Sequence, residues 1–467
     1  MRRPVFVAIF LGAAAQIGAA FADPLTPEEV ALSAAQLSPS VLIAEAKRDQ
    51  ADAKTTEALG GFDTRIEAES KLRPQGYYDG RFGSLTARRA LGPLGAEVYG
   101  GYRISDGEFP IYEDINFTNQ AGEAMVGLAI SLLRDREIDS IRFGLTDASL
   151  GLAQEELRLL NTRIAVQQAA LSAYWEWVAA GQSLMVFEEL LAVAEERDRA
   201  FRREVTEGAR AEIFLTENAQ LLARRKGFVE SARADFEKAA ADLSIFYRDP
   251  TGRPIIPTTE DVPSSIDVSE TPRETVMMEE ILSAQPALRA LEVALERQDA
   301  SLRLARNKLL PKLDLAVEAG QDFGAIGEGG ITRDESEVTA KVTFSVPLAR
   351  RDARGTLRRE EAARAALVQE RRLQRDELRA ALRKIDVDLR AAETIYALAL
   401  EEERLAAEME RAERTRFRLG ASDFFVVNLR EEARADAEMR VINAARALAV
   451  AQVAFDAGTM DLDALGL

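Results

Sequence analysis

The sequence predicts a mixed α and β chain that is mainly helical and in which a β-barrel continues into long coiled-coil helices. Its clearest strand covers residues 337–346, where apolar and polar side chains alternate. The apolar positions are Val338, Ala340, Val342, Phe344 and Val346, and the polar ones between them are Thr339, Lys341, Thr343 and Ser345. A period of two indicates a strand with one apolar face and one polar face.

The stretch that follows Pro347 predicts the coiled coil. It is rich in alanine and arginine and contains no proline as far as Leu419. Apolar residues recur there at alternating steps of four and three, at Leu378, Leu382, Ile385, Leu389, Ala392, Tyr396 and Ala399. This heptad seam predicts a helix from about Ala353 to Arg418, roughly 100 Å long. A strand that runs directly into so long a helix is typical of a tube with a barrel at one end and a helical tunnel below it.

Residues 1–22 are predicted to be a cleaved signal peptide. Arg2 and Arg3 form a charged start, an apolar run covers residues 5–20, and Ala20-Phe21-Ala22 matches an A-x-A cleavage site. The alternative is a single N-terminal membrane anchor, which the short, alanine-rich run disfavours. No later segment offers 18 consecutive apolar residues, so no transmembrane helix is expected. An exported chain of this kind can span a membrane only as a closed barrel.

Composition excludes several function classes. The chain has no cysteine and no histidine, which removes disulfides, thiol nucleophiles, Ser-His-Asp triads and imidazole metal ligands. The net charge is −18, or −20 once Arg2 and Arg3 are removed, and it argues against nucleic-acid partners. We therefore expect no catalytic residue, cofactor or metal. The 78 acidic residues offer pairs for glycosidase-type chemistry, but most lie on predicted solvated helix faces.

The chain contains two copies of one pattern. Thr26-Pro27-Glu28-Glu29 is a helix start with capping chemistry, and Thr271-Pro272-Arg273-Glu274 repeats it. Pro39 matches Pro286, and each copy continues into a strand, a loop, a second strand and two long helices. We predict a first repeat over residues 23–247, a proline-rich linker over 248–271, a second repeat over 272–457 and a short tail over 458–467.

The two predicted outer loops differ in length. Residues 320–336 form a short glycine-rich loop, whereas residues 72–121 form one about three times longer. The longer loop contains the aromatic residues Tyr77, Tyr78, Tyr99, Tyr102, Phe109, Tyr112 and Phe117, some of which suit a membrane interface. It is either a disordered surface loop or an extra hairpin. The strand-like segments Leu85–Leu91 and Ala96–Ile104 favour the hairpin.

These features together resemble the TolC family of outer-membrane channel proteins. The resemblance rests on the export signal, the duplicated strand pairs, Gly420 at the helical turn and three short segments. These segments are Leu309-Leu310-Pro311, Ser345-Val346-Pro347-Leu348 and Arg351-Asp352-Ala353-Arg354-Gly355. The sequence departs from the family pattern where the first strand begins with Phe62-Asp63-Thr64 and where Ser422-Asp423-Phe424-Phe425 follows the turn without a basic residue.

The resemblance implies an α+β membrane protein, mainly α, that forms a homotrimer. Four strands per subunit would close a twelve-stranded barrel in the outer membrane of a Gram-negative bacterium. The helices would form a periplasmic tunnel that docks a periplasmic adaptor and an inner-membrane transporter. The implied function is a passive exit duct for small molecules such as drugs. The alternatives are a duct for type I protein secretion and, in another class, a secreted or periplasmic coiled-coil structural or adaptor protein without a pore.

Two sets of residues are candidate sites on this interpretation. The first lies at the helical turns and would form the periplasmic gate or the adaptor-docking tips: Gly208, Glu212, Gly420, Asp423 and Asn428. A ring of acidic side chains there would favour cations. The alternative is structural, with the glycines forming turns and Asp423 capping its helix.

The second set is basic and follows a barrel strand, where the membrane meets the periplasm. Arg350, Arg351 and Arg354 are candidates for contact with lipid phosphates. The alternative is a solvated helix start paired with Glu360 and Glu361. Trp175 and Trp177 lie on the first long helix and are interpreted as packing residues.

Overall fold

The computed structural model describes residues 24–110, 116–209, 211–266, 268, 278–326 and 333–467. The predicted signal peptide, the second capping sequence at residues 271–274 and Tyr112 lie outside these residues. Over the described ranges the helices are α1 (Pro27–Leu37), α2 (Pro39–Leu59), α3 (Ser140–Thr206), α4 (Ile213–Leu243), α5 (Met278–Ala284), α6 (Pro286–Asn307), α7 (Arg351–Arg418) and α8 (Phe424–Thr459). The strands are β1 (Arg65–Leu72), β2 (Arg81–Ala90), β3 (Glu97–Asp106), β4 (Glu123–Ser131), β5 (Lys312–Asp322) and β6 (Glu337–Ser345).

The element order supports the predicted duplication. Helices α2 and α6 both begin at a proline, Pro39 and Pro286. The long helices that follow the strands have nearly equal lengths, with 67 residues in α3 and 68 in α7. Thr26 caps α1 as predicted, because its hydroxyl accepts the Glu29 N–H while the Glu29 carboxylate accepts the Thr26 N–H.

The two repeats do not fold as separate bodies. The described residues divide into a helical unit, drawn from the ranges 24–39, 164–268 and 382–467, and a sheet unit, drawn from the ranges 40–163 and 278–381. Each unit combines segments of both repeats. The core of each unit is therefore built by segments of both repeats, and neither repeat forms a core of its own.

The core of the helical unit lies where α3, α4 and α8 pack. Trp177 is fully buried and its ring lies 6.2 Å from that of Phe236, while the Tyr174 hydroxyl donates to the Leu25 carbonyl. The predicted packing role of this aromatic segment is confirmed. From Leu382 onward the α7 seam is also confirmed, since Leu389 and Ala392 pack against Leu448 of α8 with Tyr396 beside them.

The described part of the linker packs against the helical unit. The Leu25 N–H donates to the Asp261 carbonyl, and the Gln182 side chain donates to the Pro263 carbonyl. Gly181 lets this segment approach α3, because a Cβ there would lie 2.7 Å from Val262. These residues of the linker are therefore packed on neighbouring segments rather than hanging free, and the predicted path across the outside of a tube stays a prediction.

One window of helix α3 bears on the expectation that no helix of the chain spans a membrane. Helix α3 contains an 18-residue window that meets the length and composition criteria for a membrane span, although no such segment was expected. A third of the window is buried within the chain, and Trp177, Val178 and Ala179 form part of that buried face. The window meets the composition criterion because it contains alanines and apolar side chains that pack in the core. We therefore interpret it as part of the helical core.

The strands form one antiparallel sheet in the order β1-β2-β3-β4-β5-β6, referred to below as the meander sheet. Six strands in the described residues correct the expectation of four. The two additional strands, β2 and β3, come from the long outer loop, so the hairpin alternative is confirmed. They overlap the predicted segments Leu85–Leu91 and Ala96–Ile104.

The end of α8 carries a carboxyl group that links stability to pH. Burial and the charge of Asp461 raise the pKa of Asp456 from 3.8 to about 6. Because the folded chain binds this proton more tightly than the unfolded chain, the free energy of unfolding decreases as the pH rises from about 4 to about 6.

We expect Asp456→Asn to raise the thermal unfolding midpoint at pH 8 and to leave it nearly unchanged at pH 4. The midpoints are measured by circular dichroism on detergent-solubilised protein. The control is Asp463→Asn, which alters an exposed carboxylate of the tail and should keep the wild-type pH dependence. An Asp456→Asn variant whose midpoint shows the same pH dependence as the wild type would contradict this account.

Candidate functional site

One face of the meander sheet is apolar and exposed. Register places the even-numbered residues of β1 beside Ala87 and Leu85 of β2, and the same face continues through β3 and β4 to β5 and β6. Large side chains along it remain exposed, among them Ile66 at 71%, Leu85 at 54%, Val126 at 57% and Val338 at 70%. A continuous apolar face of this width is typical of a surface that contacts a nonaqueous phase or a partner.

The opposite face is polar and tied together by ion pairs and hydrogen bonds. Arg88 of β2 pairs with Glu67 of β1 at 3.4 Å and with Glu97 of β3 at 3.1 Å. Arg103 of β3 pairs with Glu123 of β4 at 2.5 Å. Each pair joins neighbouring strands with opposite charges. Arg88 and its two partners remain exposed to solvent, whereas Glu123 is buried beside Arg103.

A longer polar contact crosses β4. The Tyr99 hydroxyl of β3 donates to a Glu318 carboxylate oxygen of β5 at 2.9 Å, although β4 lies between these strands. Gly127 of β4 makes the crossing possible, because a Cβ at that position would overlap the Tyr99 ring. Glu123 lies over β5 in a similar way, and a Cβ on Gly320 would overlap its carboxylate.

Both edges of the meander sheet are open. Every residue of β1 and of β6 is exposed, and in the described residues neither strand has a partner on its outer side. Unpaired backbone N–H and C=O groups on an edge favour pairing with another strand.

The structure separates the aromatic residues of the long outer loop. Tyr99 lies on the polar face, whereas Tyr102 lies on the apolar face and is 43% exposed. Phe117 is buried, and Tyr77 is fully exposed. The amino-acid sequence alone does not assign these residues, because it does not show which face of the sheet each part of the loop presents.

The two helical turns have the same geometry. Gly208 and Gly420 adopt positive φ angles of 74° and 73°, which a side chain disfavours. The Gly420 N–H donates to the Phe417 carbonyl and the Ala421 N–H donates to the Arg416 carbonyl, and the Gly208 turn repeats both bonds. Each glycine therefore ends its helix in a Schellman motif. The structural interpretation accounts for the glycine at both positions.

The polar residues near these turns have different surroundings. The Asp423 carboxylate accepts the Val426 N–H at 3.0 Å and caps α8, as the structural alternative predicted. Glu212 precedes α4 and is exposed, without a side-chain capping bond. Asn428 accepts a hydrogen bond from Arg197 of α3 at 2.6 Å, so it joins two helices.

Asn428 belongs to a buried charge network that sequence analysis missed. Arg225 of α4 and Glu431 of α8 are 1% and 3% exposed and form a 3.3 Å ion pair. Arg197 of α3 and Arg414 of α7 also pair with Glu431. Burial alone would raise the pKa of Glu431, but the hydrogen bond and charge of Arg197, with the charges of Arg225 and Arg414, hold it below its usual value. The network joins four helices through one carboxylate.

The basic residues after β6 have partly structural roles. Arg350 has a positive φ of 48°, and its guanidinium donates to the Leu309 carbonyl at 3.0 Å. Arg351 and Arg354 are exposed at the start of α7. Nearby, Arg359 pairs with Glu360 at 2.7 Å. Contact of Arg350, Arg351 and Arg354 with lipid remains a prediction.

Within the described ranges, no group of three or more acidic side chains is arranged to hold a metal ion. The notable features of the molecule are therefore surfaces: an exposed apolar sheet face, two open strand edges and two exposed helical turns.

The positive φ at Gly420 yields a stability prediction. We expect Gly420→Ala to lower the free energy of unfolding by about 1–2 kcal/mol, because a Cβ is strained in the left-handed region. The control is Gly355→Ala within α7, where a Cβ meets open space. That change should stabilise the helix by about 0.5–1 kcal/mol. Chemical denaturation measures both variants, and a neutral or stabilising Gly420→Ala would contradict the assignment.

Comparison with known proteins supports the fold. No protein-family model matches the chain, and no curated protein matches it significantly. Solved structures do match over nearly the whole length. The Campylobacter jejuni CmeC outer membrane channel has 14% identity and a TM-score of 0.65, with 93% of this chain and 85% of that chain covered.

Two further outer membrane proteins give the same result. The open state of the Neisseria gonorrhoeae MtrE outer membrane channel has 15% identity and a TM-score of 0.64, covering 93% of this chain and 88% of that one. The Vibrio cholerae outer membrane protein VceC has 14% identity and a TM-score of 0.63, covering 94% and 96%. The chain therefore has the fold of solved outer-membrane channels, and the predicted resemblance is confirmed at the level of the fold.

Proposed function

We propose that this chain is an outer-membrane exit duct that extends into the periplasm and conducts small molecules, such as drugs, passively to the exterior. The observation that carries the proposal is the exposed apolar face of the meander sheet. A lipid-facing barrel wall requires one apolar and one wetted face on every strand, and all strands of this sheet share that arrangement. The channel fold of the structural neighbours supports the same conclusion.

A homotrimer completes the proposal. The open edges of β1 and β6 need partners before the sheet can enter a lipid bilayer, where unpaired backbone groups are costly. Identical copies arranged around an axis provide those partners and leave a pore on the axis. The helical turns at Gly208 and Gly420 would then meet a periplasmic adaptor and an inner-membrane transporter, which supplies the energy.

The proposed role is not enzymatic. The neighbours are channel proteins, and sequence composition removes histidine and cysteine chemistry. We take drug efflux, rather than protein secretion, as the working hypothesis. The photocrosslinking experiment described below distinguishes the two by identifying the adaptor protein that binds the helical turns.

The membrane assignment is tested by a pair of adjacent substitutions in β6. Val342 lies on the apolar face and Thr343 on the polar face. We expect Val342→Lys to reduce assembly in the outer membrane, because lysine facing the bilayer centre costs about 2–4 kcal/mol. Thr343→Lys should assemble normally. The measurement is the yield of detergent-extracted oligomer from the outer-membrane fraction.

Equal yields from the two variants would contradict a lipid-facing apolar surface. A wild-type protein found only in the soluble fraction would contradict the duct itself and favour a coiled-coil structural or adaptor protein.

The partner is tested by photocrosslinking from Ala421, which is exposed beside the Gly420 turn. We expect a probe there to capture the adaptor of a proton-driven efflux pump in living cells, identified by mass spectrometry. A probe at the exposed Ala380, far from the turn along α7, serves as the control. Capture of the adaptor of an ATP-driven protein exporter would replace drug efflux with protein secretion.

A further inference from the structure

The meander sheet contains an insertion on one side of its duplicated pattern. In the second repeat, β5 pairs directly with β6. In the first repeat, the equivalent strands β1 and β4 are separated by the hairpin β2–β3, which pairs with both. The described sheet is therefore two strands wider than the duplicated pattern requires.

Polar contacts tie the inserted hairpin to the strands on both sides. Arg88 of the insert pairs with Glu67 of β1 on one flank. Arg103 pairs with Glu123 of β4 on the other flank. These pairs supplement continuous backbone pairing of residues 81–88 of β2 with β1 and of residues 97–103 of β3 with β4.

Glycines outside the insert make room for its side chains. Tyr99 crosses Gly127 of β4 to donate to Glu318 of β5, and any larger residue at position 127 would overlap its ring. Strand glycines are costly unless another group needs the space. Strand β4 thus has a glycine where the Tyr99 side chain of the hairpin needs space. The hairpin β2–β3 is therefore a structural part of the meander sheet rather than an external loop.

The two open edges are complementary to each other. An even number of antiparallel strands makes β1 and β6 run in opposite directions, so β6 of one copy can pair antiparallel with β1 of another. Their apolar positions are in phase, with Ile66 and Ala68 on the same face as Val342 and Val338. Lys341 of β6 lies opposite Glu67 or Glu69 of β1 in the registers that set Ala68 opposite Ala340 or Val342, and the opposite charges favour these two registers.

We propose that a second copy of this chain docks its β1 edge on β6, and that three copies close a barrel of eighteen strands instead of twelve. The number of copies rests on the proposed function. At a strand spacing of about 4.8 Å and a tilt of about 40°, the barrel is roughly 35 Å wide between backbones, against roughly 24 Å for twelve strands. The membrane part of the duct then admits bulkier solutes than a twelve-stranded barrel does.

The test uses engineered disulfides, since the chain has no cysteine of its own. Val98→Cys with Leu128→Cys joins β3 to β4, which face each other in the sheet. Ala68→Cys with Leu128→Cys joins β1 to β4. These strands are neighbours only if the hairpin β2–β3 does not lie between them in the sheet. We expect the first pair to crosslink within one chain in the assembled oligomer and the second pair to remain reduced. The reverse result would overturn the insertion.

Contacts between copies are tested by Ala68→Cys combined with Ala340→Cys, Val342→Cys or Phe344→Cys, which sample registers two residues apart. We expect one of the three pairs to give covalent dimers and trimers. Ala68→Cys with Thr343→Cys is the control, because these side chains lie on opposite faces, and it should give no crosslink. Absence of crosslinks from all three pairs in a membrane-extracted oligomer would overturn the β1–β6 docking.

The strand number is measured by electron cryo-microscopy of the purified oligomer in nanodiscs. Eighteen strands around the barrel support the proposal, and twelve overturn it while leaving the duct function intact. A soluble monomer without membrane extraction overturns the proposed function as well, so the two failures are distinguishable.

Gly127→Leu tests the link between the wall and the insert. We expect it to displace Tyr99 and to lower the Val98–Leu128 crosslinking yield several-fold. Gly83→Leu on β2, where a Cβ meets open space, should leave that yield unchanged. Equal yields from the two variants would contradict the role of the Tyr99 crossing.

Discussion

In the proposed duct the apolar face of the sheet contacts lipid, so the backbone of the sheet must satisfy all of its own hydrogen bonds. This constraint organises the rest of the proposal. An apolar surface made by side chains does not by itself satisfy the backbone N–H and C=O groups. The apolar residues Ile66 and Val338 lie on β1 and β6, the two strands whose outer edges are open. Such edges are tolerated in water but are costly in hydrocarbon. On the proposed function, the sheet is complete only when its first and last strands pair with equivalent strands of other copies.

Charge is handled differently on the sheet and among the helices. On the polar face, Arg88 is 39% exposed and pairs with Glu67 and Glu97 beside solvent, where an ion pair contributes little stability but keeps both partners hydrated. In the helical unit, Arg225 and Glu431 are buried, so removing either partner would leave an uncompensated charge. The first arrangement suits a wetted surface, and the second fixes the register of four helices.

Much of the fold was predictable because its signals are local. Alternation over residues 337–346 predicted β6, and the proline-free heptad stretch predicted α7 to within two residues at its start. Glycine and a capping aspartate predicted the turn between α7 and α8. The insert was predicted only as strand-like segments, since sequence periodicity does not reveal which strands pair. The Arg225–Glu431 pair joins residues 206 positions apart, and neither carries a local signal that separates it from the many exposed arginines and glutamates.

The duplication and the insertion act on different parts of the molecule. Among the described residues, each repeat contributes two long helices after its last strand, and α3 and α7 differ by a single residue in length. The same repeats contribute four strands and two strands, respectively. The insertion of β2 and β3 therefore widens the sheet without changing the number of helices. In the proposed barrel the number of strands sets the width, so such an insertion would widen the membrane part while the helical part stays the same.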